Sequence, residues 1–127
     1  MYTITLEWNE SLNTKRQEVS LNHIIDLGRH IYSTVVINDK SVARRQAIIF
    51  MDKNAIYLKC LDQKTGIQIG SGQVLHKGDM HALRIGSSFL CGTVNVRVVG
   101  LTHPSGRSKR LTQSLHKPST HYIYAAA

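Results

Sequence analysis

LGRHIYSTVVINDKSVARRQA, residues 27–47, lies between two apolar runs, one centred on Ile24-Ile25 and the other formed by Ile48-Ile49-Phe50-Met51. Gly28-Arg29 follows the first run directly. A short β-branched run, Thr34-Val35-Val36-Ile37, comes next, and Asn38-Asp39-Lys40-Ser41 has the composition of a turn. Val42-Ala43-Arg44-Arg45-Gln46-Ala47 then leads into the second apolar run. This order reads as strands joined by loops that carry arginine at their mouths. A guanidinium there presents a planar fork of donors that matches the oxygens of a phosphate or carboxylate.

On either side the period is two. Ile4, Leu6 and Trp8 alternate with Thr3, Thr5 and Glu7, as expected of a strand with one buried face. Residues 9–16 are polar and read as a loose loop, with a return strand over 17–21. Residues 46–51 and 55–60 form the clearest hairpin, joined by a three-residue loop, Asp52-Lys53-Asn54, with Asn54 suited to a left-handed conformation. Ile56, Leu58 and Cys60 share one face of its second strand. Residues 66–69 make another short strand, Gly70-Ser71-Gly72 a turn, and 93–99 the last body strand, with Val94, Val96 and Val98 inward. Strands at this spacing with glycine turns predict an all-β sandwich or barrel.

Composition narrows the function classes. A chain of 127 residues suits one domain with its own core. The formal charge is +8, and all eight acids precede residue 80. The segment 101–127 holds Arg107, Lys109, Arg110 and Lys117, both prolines and no acid, and is expected to be a basic tail apart from the domain at 1–100. Tyr122-Ile123-Tyr124 is its apolar exception. Cys60 and Cys91 are too isolated for a disulfide framework or a thiolate metal site and are expected to be buried, reduced thiols. His76, Asp79 and His81 fall in an expected exposed connection and are read as solvated, not as metal ligands. No nucleophile elbow, Walker loop or carboxylate pair is present, so the chain is read as non-catalytic and without a cofactor. No signal peptide or span of ~20 apolar residues is visible, which predicts a cytoplasmic protein with no membrane contact.

Four segments in this order resemble the forkhead-associated (FHA) domain family over residues 3–100. Gly28-Arg29 matches the family's Gly-Arg after a strand, and 42–47 its Val-Ser-Arg-x-His-Ala block. Lys64-Thr65-Gly66-Ile67 matches its Ser/Thr-Asn-Gly-Thr turn, and 83–98 its glycine-bearing final hairpin. The resemblance implies a β-sandwich of two antiparallel sheets that binds phosphothreonine peptides through its loops. Arg29, Ser41, Arg44, Thr65 and Gly66 are the residues it assigns to that site. Of the adjacent arginines, only Arg44 matches the family's basic position. The departures fall where chemistry would. Ala43 replaces the phosphate-binding serine, Gln46 the loop-bracing histidine, and Thr65 the asparagine that grips the peptide. A hydroxyl bond to phosphate is worth ~1.5–3 kcal/mol, so its loss implies binding weaker by roughly ten- to a hundredfold. Weak or conditional phosphothreonine recognition is therefore expected, with no small-molecule substrate. A phosphate-independent scaffold subunit of a larger assembly is the alternative. A third reading, non-specific nucleic-acid binding by the tail, has its cations but lacks interleaved aromatics.

Overall fold

The computed structural model describes residues 2–102, and the backbone of 108–110, as two packed β-sheets with no helix among the described residues. One sheet contains β1 (Thr3–Glu10), β2 (Asn13–Ser20), β7 (Ile67–Ile69), β8 (Val74–Leu75), β10 (Ser88–Cys91) and β11 (Val94–Thr102), in the order β2-β1-β11-β10-β7-β8, with β12 (Ser108–Arg110) paired to β11. The other contains β3 (Ile25–Gly28), β4 (Val35–Val36), β5 (Ala47–Asp52), β6 (Ala55–Cys60) and β9 (Met80–Leu83), in the order β4-β3-β5-β6-β9. All pairs are antiparallel except the short β3–β4 pair. The sandwich of two sheets is the expected architecture.

The alternating runs do what their period requires. Ile4, Leu6 and Trp8 on β1, Ile56, Leu58 and Cys60 on β6, and Val94, Val96 and Val98 on β11 are all buried between the sheets. Both cysteines are buried and free. Burial pushes each thiol above the ordinary cysteine range, because it disfavours the charged thiolate. The region of residues 9–16 is not a loose loop. β1 and β2 pair without interruption to Glu10↔Asn13, leaving only Ser11-Leu12 at the tip, and Ser11 takes a positive φ of 54°. β2 is an edge strand exposed on both faces over its first four residues, so no burial period marks it.

The second hairpin is tighter than its sequence suggests. Asp52 pairs with Ala55, so the loop is Lys53-Asn54, with φ of 51° and 67°. Two positive values in a two-residue loop define the type I′ turn, whose twist matches the strands it joins. His81 lies within β9 opposite Leu58, not in a loop, and no group of three metal-ligating side chains occurs among the described residues. The last body strand runs past Val99 to Thr102, and Leu101 is 2% exposed. Tyr122-Ile123-Tyr124 and the rest of 111–127 lie outside the described residues. No helix among the described residues is long and apolar enough to cross a membrane.

Candidate anion-binding loops

Connections that meet at one end of the sandwich include residues 29–34 after β3, 37–46 before β5, 61–66 between β6 and β7, and the β10–β11 turn. Gly28 allows the first two to approach. A Cβ at that position would sit inside the Arg44 carbonyl group. The Arg29 N–H donates to the Ala43 carbonyl at 3.0 Å, and the Gln46 N–H to the Leu27 carbonyl at 2.9 Å. Arg29 also donates from Nε to the Val42 carbonyl at 3.0 Å. Its side chain therefore braces the loop with one edge while the residue remains exposed.

Gln46 ties this pair of loops to the third. It is the one buried polar side chain among the described residues. Its Oε1 accepts from the Ala43 N–H at 2.9 Å, and its Nε2 donates to the Gly66 carbonyl at 3.1 Å and to Thr65 Oγ1 at 3.2 Å. The carboxamide suits the task because it carries an acceptor and two donors on one rigid plane. Gly66, at a φ of 62°, supplies the turn that aims its carbonyl at that donor.

The acids at this end all serve the loops. Glu10 Oε2 accepts from the Asn38 N–H at 2.9 Å and from Trp8 Nε1 at 2.8 Å. Asp39 Oδ1 accepts from the Ser41 hydroxyl at 2.6 Å and the Ser41 N–H at 2.9 Å. Asp62 Oδ2 accepts the same pair of bonds from Thr65, at 2.6 Å and 2.8 Å. These bonds hold both aspartates below the ordinary range, because each stabilises the charged carboxylate. Arg45 turns the other way, toward Asp26 at 3.7 Å. The two face a shallow depression of about 230 Å³ beside β3, which His30 and Tyr32 also line.

The structure thus brings Arg29, Ala43, Arg44, Thr65 and Gly66 around Gln46, and places Ser41 in a different set of contacts. The Ser41 hydroxyl accepts from the Thr93 N–H at 2.9 Å and lies 3.1 Å from Thr93 Oγ1. Gly92 lets the two segments meet, since a Cβ there would overlap Ser41. Ser41 clamps the β10–β11 turn, and Thr65 is bonded to Asp62 and Gln46. Arg29 and Arg44 remain exposed, as do Lys40 and Lys64, two cations on the same loops that sequence reading passed over. None of the four has a carboxylate within ion-pairing distance among the described residues. Lys40 and Lys64 each stand close in sequence to a loop aspartate, and that adjacency was the available signal.

A family model described as the FHA domain matches residues 25–92. No curated protein matches the chain. Among solved structures, one from a structural and functional analysis of phosphothreonine-dependent FHA domain interactions superposes with a TM-score of 0.64 at 19% identity, covering 80% of this chain and 98% of the other. The FHA domain of the CT664 protein from Chlamydia trachomatis gives 0.64 at 18% identity, covering 76% and 96%. The FhaA FHA domain complexed with the intracellular domain of Rv3910 gives 0.61 at 20% identity, covering 75% and 98%.

Proposed function

The chain belongs to the FHA domain family, a family of protein-interaction modules, and we propose that it recognises phosphothreonine-containing peptides or proteins weakly, through Arg29 and Arg44. One observation carries this reading. The acids at the loop end are engaged in hydrogen bonds within the loops, while Arg29, Lys40 and Arg44 stand exposed with no ion pair among the described residues, and Lys64 is exposed beside Asp62, whose carboxylate its charge helps to stabilise. Such a surface attracts a dianion and offers it charge-assisted bonds. Ala43 adds no hydroxyl, so affinity rests on the cations.

Titration of a degenerate phosphothreonine peptide library beside its unphosphorylated twin tests the proposal. The phosphorylated pool should bind, and Arg44→Ala should abolish binding without changing the unfolding midpoint. Arg29→Ala should abolish it and also lower stability, because Arg29 Nε braces Val42. Equal binding of the two pools, or an unaffected Arg44→Ala variant, defeats the proposal.

A second reading is a phosphate-independent scaffold subunit of a larger assembly. Its support is the engagement of the Ser41 and Thr65 hydroxyls in loop contacts, which leaves no free neutral donor among the assigned side chains. It expects a protein partner whose binding is indifferent to phosphatase treatment and to Arg44→Ala.

A further inference from the structure

The connection between β3 and β4 carries two large apolar side chains outward on a braced turn. Ile31 is 75% exposed and Tyr32 84%. The turn beneath them is held at His30, whose Nδ1 accepts from the Tyr32 N–H at 3.1 Å and whose carbonyl accepts from the Ser33 N–H at 3.0 Å. The His30 and Tyr32 rings lie 5.4 Å apart, tilted by 43°. Both rings line the depression of about 230 Å³ beside β3, together with Asp26, Ser33 and Arg45. Tyr32 is therefore the wall of a concavity, not a stray exposed residue.

The depression adjoins the anion-binding loops. The Arg29 N–H donates to the Ala43 carbonyl at 3.0 Å and the His30 N–H to the Arg44 carbonyl at 3.3 Å, so the two segments run side by side here. Arg29 and Arg44 belong to the anion-binding loops, and His30 and Arg45, the next residue of each segment, line the depression. An extended chain advances ~3.3–3.6 Å per residue, so a peptide whose phosphate sits on Arg29 and Arg44 brings a side chain roughly two to four residues away to the depression.

Charge decides which side chain suits it. Arg45 and Asp26 carry the formal charges of the lining, and they already pair at 3.7 Å. A cationic guest meets the like charge of Arg45, and an anionic one that of Asp26. A neutral ring meets neither, and it gains ring contacts from Tyr32 and His30 and a guanidinium on its face from Arg45.

We propose that this depression is a subsite for an aromatic side chain, phenylalanine or tyrosine, of the bound phosphothreonine peptide, a role that rests on the phosphothreonine recognition proposed above.

Phosphothreonine peptides with phenylalanine scanned through the flanking positions test this, beside peptides with alanine, leucine, arginine or glutamate at the same places. At one position phenylalanine should bind about tenfold more tightly than any of these, the gain that aromatic and cation–π contacts give. Tyr32→Ser, at an exposed position, should remove that gain and leave the affinity of the alanine peptide unchanged. Arg45→Ala should turn the preference at that position toward arginine, because Asp26 then lacks its counter-charge. Phosphate-dependent binding with no aromatic preference at any position overturns the subsite and leaves phosphothreonine recognition standing. A preference for leucine, arginine or glutamate in the parent, or a phenylalanine gain that survives in Tyr32→Ser, overturns it equally. If no phosphorylated peptide binds, both proposals fall together.

Discussion

At Gln46 one carboxamide holds three groups, the Ala43 N–H, the Thr65 hydroxyl and the Gly66 carbonyl, and it does so in complete burial. Gln46→Ala leaves the Ala43 N–H and the Gly66 carbonyl without partners. It should lower stability by about 2–3 kcal/mol, as unsatisfied buried groups do, readable as a lower urea midpoint at unchanged slope. Gln46→Glu gives a sharper test. A carboxylate can still accept from Ala43 but must face the Gly66 carbonyl with an acceptor, whereas the protonated acid can donate to it. Its folded pKa is therefore raised, so the contribution is fully present below the unfolded glutamate value and fades as pH rises through the folded one. The variant should approach the parent's stability near pH 4 and fall below it at pH 8. Parallel pH profiles for the two proteins would show that the introduced carboxyl does not face the carbonyl. At the neighbouring position, Ala43→Ser restores a donor beside Arg29 and Arg44 and should strengthen phosphothreonine peptide binding about tenfold, as measured by anisotropy. No gain would mean that the loops do not present position 43 to the phosphate.

The loops behave as elements because two aspartates staple them, Asp39 to Ser41 and Asp62 to Thr65. Both carboxyls are held below the ordinary range, so their stabilisation is present above the unfolded aspartate value near ~3.9 and is lost as pH falls through the lower folded values. Acid titration from pH 5 to 2 should therefore lower the unfolding midpoint. Asp39→Asn with Asp62→Asn should flatten that slope, and an unchanged slope would assign the acid sensitivity elsewhere, with Glu7 between Arg16 and Arg97 the next candidate. These staples also mark how far sequence carries. β1, β6 and β11 were legible because one face of each is buried and the period of two survives in the residues. β2 was only half legible, since its first four residues are exposed on both faces and obey no period. The turn at Lys53-Asn54 is one residue shorter than its composition suggests, because lysine gives no sign of a positive φ. Arg29 and Arg44 could be read from local pattern. The contacts of Ser41 with Thr93 and of Gln46 with Gly66 span 52 and 20 residues, and no local pattern encodes them.

For the molecule as a whole, the charge of the sequence divides at the end of β11. The strand is integral to the sandwich through Thr102, with Leu101 buried against the core and opposite Ile4. A chain cut after Gly100 forfeits that burial, about 1.5–3 kcal/mol for a leucine, whereas a chain ending at Thr102 keeps it. The second cut removes Arg107, Lys109, Arg110 and Lys117, and with them half of the net charge of +8. Polyanion binding and phosphopeptide binding should respond differently to it. Affinity for duplex DNA in the full chain should fall steeply with salt. If all four cations contact phosphates, the logarithmic slope should shrink by up to about 3.6 in the shortened chain, at ~0.9 per phosphate neutralised. Phosphothreonine peptide affinity should hardly change, because Arg29, Lys40, Arg44 and Lys64 all remain. Salt titrations of both ligands against both proteins separate the two activities. A shortened chain that still binds DNA tightly, resists salt and prefers particular sequences would place nucleic-acid recognition on the loop arginines, and the phosphopeptide proposal would fall. Equal loss of peptide binding on shortening would instead move the recognition surface toward the far end of the sandwich, away from Gln46 and the loops it holds together.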